Sequence, residues 1–174
     1  MLALYEVYLR NSIDRQFVYH FKRQDWYTIF DTDPRLSSLK TKVDIAIEHI
    51  TNRGETVTKD KIIAELTMGF WVTLFNARYE RILWRPLRKV FPNLIRANRQ
   101  RRTVSRSLNK IRNFRNRIFH HEAISWNSRQ LETQYNRIRE TMLWMHKDLI
   151  NIADVIDRFD LVFDEAKAKM PNNW

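Results

Sequence analysis

The sequence predicts a single all-α domain over residues 1–174, a helical bundle, and three of its features point that way. Apolar side chains return every three or four residues over long stretches, the spacing that gathers them on one face of a helix. Two Gly and four Pro leave few turn-makers, so a fold of many short strands is not expected. Apolar residues make up 44% and aromatics 13%, enough for a real core and too much for a disordered chain. No internal repeat, linker or low-complexity tract divides the sequence.

Tyr5, Leu9, Ile13, Phe17 and Phe21, four apart, give the first helix one apolar stripe. Asp31 to Pro34 reads as a turn. Ser37 or Ser38 is expected to cap a second helix with the inner face Leu39, Val43, Ala46, Ile47 and Ile50. Asn52-Arg53-Gly54 ends it, Gly54 supplying a left-handed cap. Thr58 caps a third helix through Ile62, Leu66, Phe70 and Leu74; its middle is apolar nearly all round, which places it at the centre of the core. Arg85-Pro86 and Phe91-Pro92 punctuate a shorter helix pair, because proline disfavours helix at the residue before it. The basic stretch from Arg96 to Arg102 is expected to be exposed. Thr103 or Ser105 should cap the next helix, and Ala123 to Asn127 should bend. One long helix should follow through Leu131, Tyr135, Ile138, Met142, Leu149 and Val155, with a short tail helix near Leu161.

With no Cys there is no disulfide framework and no thiolate metal site, which fits a reducing compartment. No apolar run approaches the roughly 18 residues of a membrane span. The opening MLALYEVYLRNS lacks the charged head, apolar run and cleavage site of a secretory leader, so a cytoplasmic protein away from membranes is expected. The formal net charge is +11, and its location matters more than its size. Fourteen Lys or Arg against one acid, Glu80, put +13 between Arg78 and Arg117, while the rest of the chain sums to −2. Such a block suits a nucleic-acid partner, because cations placed on phosphates release condensed counterions. The plainer alternative is a solvated basic helix face.

The block runs into RNFRNRIFHHE, Arg112 to Glu122, the chemically richest stretch of the chain. Imidazole moves protons near neutral pH, and guanidinium grips phosphate with a rigid fork. On an ideal wheel, Leu108, Ile111, Phe114 and Ile118 face inward. Asn109, Asn113, Asn116 and His120 form an amide ladder on another side, suited to a polar cleft or a symmetric contact. Arg115 leans toward the apolar side, about 140° from His120, and needs a partner because an unpaired buried charge is costly. Structural alternatives stand beside this. His120 or His121 could be a helix C-cap, Arg115 could pair with Glu122 or an acid on the first helix, and the Asn ladder could be chance. No metal or cofactor is expected: HHE lacks the HExxH spacing, the acids are scattered, and there is neither a Gly-rich phosphate loop nor a nucleophile elbow.

RNRIFH, Arg115 to His120, resembles the motif of HEPN-domain proteins: Arg, a polar residue, three more residues, then His. Four segments in order resemble one branch of them, the Abi-like (abortive infection) proteins of phage defence. They are EVYLRNSI at Glu6 to Ile13, ELTMGFWVTLF at Glu65 to Phe75, LWRPLRKVFPN at Leu83 to Asn93 and LNKIRNFRNRIFHHEAI at Leu108 to Ile124. The resemblance implies an all-α bundle forming a symmetric homodimer, with two motif helices flanking one metal-independent endoribonuclease cleft. It implies His120 as the acid–base group, with His121 as the alternative register, Arg115 as the group stabilising the phosphorane, and Asn116 as its polar companion. Glu6, Arg10 and Asn11 match a further pattern on the first helix and, with Asn113, are expected to support the cleft. The chain begins close to EVYLRN, where relatives usually carry more sequence, so a short or truncated member is implied.

The expected function is RNA cleavage of the toxin type, by 2′-OH attack, with a protein or RNA antitoxin as a further partner. Arg96, Arg99, Arg101, Arg102, Arg106, Lys110, Arg112 and Arg117 are the candidate RNA-binding residues. The alternative is an inactive RNA-binding or dimerisation module in a defence system. A DNA-binding regulator ranks last, since the motif helix carries His and core residues where base-reading side chains belong.

Overall fold

The computed structural model describes residues 1–122, 124 and 128–169. Among them every regular element is helical: α1 (Leu2–Phe21), α2 (Ser37–Asn52), α3 (Lys59–Glu65), α4 (Met68–Thr73), α5 (Glu80–Leu87), α6 (Arg101–Phe119), α7 (Ser128–Met145), α8 (Asp148–Ile156) and α9 (Phe159–Lys169). Short 3-10 turns link several of them. The stripe Tyr5, Leu9, Ile13, Phe17 is fully buried because α1 packs against α4, α5 and α7. Around its lower end Phe17 meets Trp26 at 4.8 Å, and Phe70 meets Trp71 at 5.0 Å, both edge to face. α6 lies between α4 and α7, which places the motif helix on the flank of one compact helical domain.

The third helix is two helices. Leu66 turns extended and Thr67 restarts the chain, its hydroxyl accepting the Phe70 N–H at 3.4 Å. The indole N–H of Trp71 donates to the Leu66 carbonyl at 3.0 Å. Left unpaired, that buried carbonyl would cost about 1–3 kcal/mol. Thr58 caps α3 as expected, and Phe70, Trp71, Val72, Leu74 and Phe75 are all core. The long helix after residue 127 also divides, into α7 and α8. Asn93 ends α7 from outside, donating its backbone N–H to the Trp144 carbonyl at 3.1 Å and its side-chain N–H to the Leu143 carbonyl at 3.0 Å.

Two cap assignments are corrected. The turn Pro34–Leu36 runs straight into α2, so the cap is Asp33, which accepts the Arg35 N–H at 2.9 Å; Ser38 instead bonds the Tyr79 hydroxyl at 2.7 Å. α6 starts after Gln100 with no side-chain cap, and Thr103 and Ser105 lie inside it. Gly54 ends α2 at φ +70°, as the sequence predicts. Pro86 sits within α5, which continues to Leu87 and passes into the turn Arg88–Val90. Val155, expected on an inner stripe, is 85% exposed, because α8 and α9 bury only Leu149, Ala153 and Phe163. The bend expected over 123–127 falls on 123 and 125–127, outside the described residues. No helix among the described residues is long and apolar enough to cross a membrane.

Candidate nucleic-acid interface and catalytic motif

The apolar spacing of α6 decides which way its chemistry points. Val104, Leu108 and Ile111 are fully buried, and Phe114 and Ile118 are half-buried beside them. With that side turned inward, Arg102, Arg106, Lys110, Asn113, Asn116 and His120 are all exposed. They fall within roughly 120° of one another on the wheel, so the outer face of α6 is a strip of cations and amides ending in an imidazole.

Arg115 belongs to the inward side. Its guanidinium lies 3.3 Å from the Glu6 carboxylate of α1, with the two side chains 25% and 21% exposed. It also covers the ring of Phe119, 3.8 Å from the centroid. Of the two partners expected for Arg115, the acid on the first helix is the one present; Glu122 pairs with Arg117 at 3.0 Å instead. The Arg115 Nε is buried and has no hydrogen-bond partner, so the fork keeps one unsatisfied donor. Phe119 is a site residue that the sequence reading passed over, although its i+4 spacing from Arg115 signals the contact.

The motif helix ends at the His pair itself. His120 is the C-cap residue, and His121 turns left-handed at φ +55°. The His121 N–H donates to the Ile118 carbonyl at 3.0 Å and the Glu122 N–H to the Arg117 carbonyl at 2.9 Å, the paired bonds of a Schellman motif. Glycine is the usual occupant of that position, since a left-handed L-residue costs about 1–2 kcal/mol. His121 therefore shapes the helix end, while His120 stands one position earlier on the outer strip.

The basic block divides into structural and open cations. Arg99 donates to the Leu94 carbonyl at 2.7 Å, and Arg101 bridges Glu80 at 2.9 Å and the Phe75 carbonyl at 3.0 Å; both pin the entry to α6. Arg112 leans on the Asn113 amide at 3.2 Å. Arg96, Arg102, Arg106 and Lys110 are exposed, and among the described residues they have no ion pair or side-chain hydrogen bond. Four of the eight candidate RNA-binding residues thus offer open charge, and Arg99 and Arg101 are pins.

The supporting set is brought together only in part. Glu6 meets Arg115, whereas Arg10 reaches the Ala64 carbonyl at 3.4 Å and keeps a buried, unpartnered Nε. Asn11 is exposed and lines a hollow with Asp14 and Lys59. Nor is the amide ladder one network: Asn109 donates back to the Ser105 carbonyl at 2.8 Å, and Asn113 accepts from Arg112. Among the described residues no group of three or more His, Asp or Glu is spaced to hold a metal ion. Phe119, whose ring Arg115 covers, is 58% exposed. Compared with protein-family models, with curated proteins and with solved structures, the chain returns no match in any of the three.

Proposed function

We propose that this chain is a metal-independent endoribonuclease of the HEPN, Abi-like type, acting as a toxin in phage defence at a cleft shared by two copies. The observation that carries it is the outer strip of α6, where open cations at Arg102, Arg106 and Lys110 lead to an exposed imidazole at His120. Cations along a strand hold phosphates, and an imidazole at the end of the row is placed to move a proton. The four ordered segments that resemble Abi-like proteins support the same assignment.

His120 takes the proton of a ribose 2′-OH as that oxygen attacks the adjacent phosphorus. The 5′-oxygen leaves and is protonated by the second copy's imidazole, giving a 2′,3′-cyclic phosphate and a 5′-hydroxyl. Arg115 stabilises the charge on the phosphoryl oxygens through its guanidinium. In-line transfer needs a base and an acid on opposite sides of the phosphorus, and with His121 spent on the helix end a two-fold partner's His120 is the simplest second group. The exposed Phe119 beside Arg115 is the apolar surface such a partner would cover. A protein or RNA antitoxin in the cytoplasm would hold the activity silent.

Purified protein should cleave single-stranded RNA in EDTA, and His120→Ala should lose about 10²–10⁴-fold in rate. Equal rates for the two proteins would sink the proposal. The second function is a non-catalytic RNA-binding or dimerisation module, favoured by one observation: Arg115 is already engaged by Glu6. Salt-sensitive RNA binding that survives both Arg115→Ala and His120→Ala, with no cleavage by any form, identifies that module.

A further inference from the structure

A hollow of about 200 Å³ opens between α6 and α7. Its α6 wall is Lys110, Asn113, Phe114 and Arg117, centred roughly 150° around the helix from Arg115. Asn113 lies two turns before His120 at nearly the same angle, about 10 Å away along the axis. The hollow therefore borders the strip along which the proposed substrate lies, on the side away from the Glu6–Arg115 pair.

Its lining has three parts with separate chemistry. Phe114 and Leu131 make an apolar floor, and an aromatic ring is a surface on which a base stacks. Asn113 and Gln134 bring side-chain amides whose N–H groups can donate to the edge of a base, and Gln130 adds a third amide to the wall. Gln134 accepts from Arg137 at 2.9 Å, which fixes that amide on α7. Lys110 stands at the rim, exposed and without an ion pair among the described residues. Arg117, held by Glu122, completes the wall. The volume is below the roughly 300 Å³ at which pockets for drug-sized ligands begin, which suits one planar ring and excludes a large cofactor.

We propose that this hollow seats one unpaired nucleobase of single-stranded RNA, its edge read by Asn113 and Gln134 and its phosphate held by Lys110. The proposal rests on the assignment of the α6 strip as an RNA surface and adds a base preference to it. An unpaired base is required, because a paired one presents neither a free face to Phe114 nor a free pairing edge to the amides.

The test uses fluorescein-labelled octamers of A, C, G and U with the full chain carrying His120→Ala, so that no strand is cut during the measurement. One octamer should bind about tenfold more tightly than the weakest, the lower range for a well-made amide–base contact. Leu131→Trp fills the hollow, and Gln134→Leu removes an amide at nearly constant size. Each should compress the difference to about twofold while leaving the salt dependence intact. Four octamers bound within twofold by the parent, or a preference that persists in both variants, overturns the base seat alone and leaves the RNA surface standing. Failure of all four octamers to bind at low salt overturns the RNA surface and the seat together.

Discussion

Replacing His121 by glycine separates the two imidazoles of the motif by asking what each is for. His121 sits at φ +55° and closes the Schellman motif at the end of α6. Removing its Cβ relieves about 1–2 kcal/mol of left-handed strain. Against that, glycine gives back about 0.5–1 kcal/mol of freedom to the unfolded chain. The net is a gain of about 0.5–1 kcal/mol, or roughly 1–4 °C in Tm for a chain of this size. Urea unfolding of the two proteins reads the difference, and RNA cleavage in EDTA is measured on the same samples. His121→Gly should be the more stable protein and should cleave at the parent rate, because His120 is untouched. Lys22, left-handed at φ +58° at the end of α1, is a second site of the same kind, and Lys22→Gly should gain less because it also removes the Lys22 ammonium from the Tyr19 ring, 4.3 Å from its centroid. A lower urea midpoint for His121→Gly refutes the helix-end account. A loss of cleavage at unchanged stability makes His121 the reacting imidazole.

Three further outcomes follow from the same geometry. A double-mutant cycle with Glu6→Gln and Arg115→Met should give a coupling of about 1–2 kcal/mol, because the pair is largely buried at 3.3 Å; additivity within about 0.3 kcal/mol denies the link. The triple variant Arg102→Gln, Arg106→Gln, Lys110→Gln should flatten the plot of log K for single-stranded RNA against log salt by about 2, and an unchanged slope removes these residues from the interface. Burial, then Arg85, Lys89 and Lys22, hold the His20 imidazole below its ordinary value of 6.5. The unfolded chain therefore takes up that proton first, and stability falls as pH drops through 6.5 toward the lower folded value. His20→Gln should flatten the urea midpoint profile between about pH 7 and about pH 5, and an identical profile contradicts the assignment.

The stripes that bury α1 and α2 were legible because Tyr5, Leu9, Ile13 and Phe17, and Leu39, Val43, Ala46 and Ile50, recur at helical spacing. The break between α3 and α4 was not, since residues 70 to 75 are apolar nearly all round and an all-round pattern carries no phase. Thr67 two residues before Gly69 was the local signal. The split between α7 and α8 had only a weak local signal, His146 accepting the Asp148 N–H at 3.3 Å, and Asn93 reinforces it from 50 residues away. In the motif, the wheel placed Arg115 inward and required company for it, either Glu122 or an acid on the first helix, and the fold decides for Glu6 by bringing α1 to the end of α6. Charge was the least legible feature. Arg99 and Arg101 look the same in sequence as Arg102 and Arg106, and only tertiary contact separates pins from open cations.

On the proposed function, RNRIFH supplies half of a site and a second copy supplies the rest. The most direct measurement mixes equal amounts of parent protein and His120→Ala in urea, refolds them together and follows RNA cleavage in EDTA. Random assortment leaves about a quarter of the dimers with two parent chains. If both imidazoles act on one phosphate, specific activity should fall to about a quarter of the parent value. An activity of about half means that each chain works alone and contradicts the shared cleft.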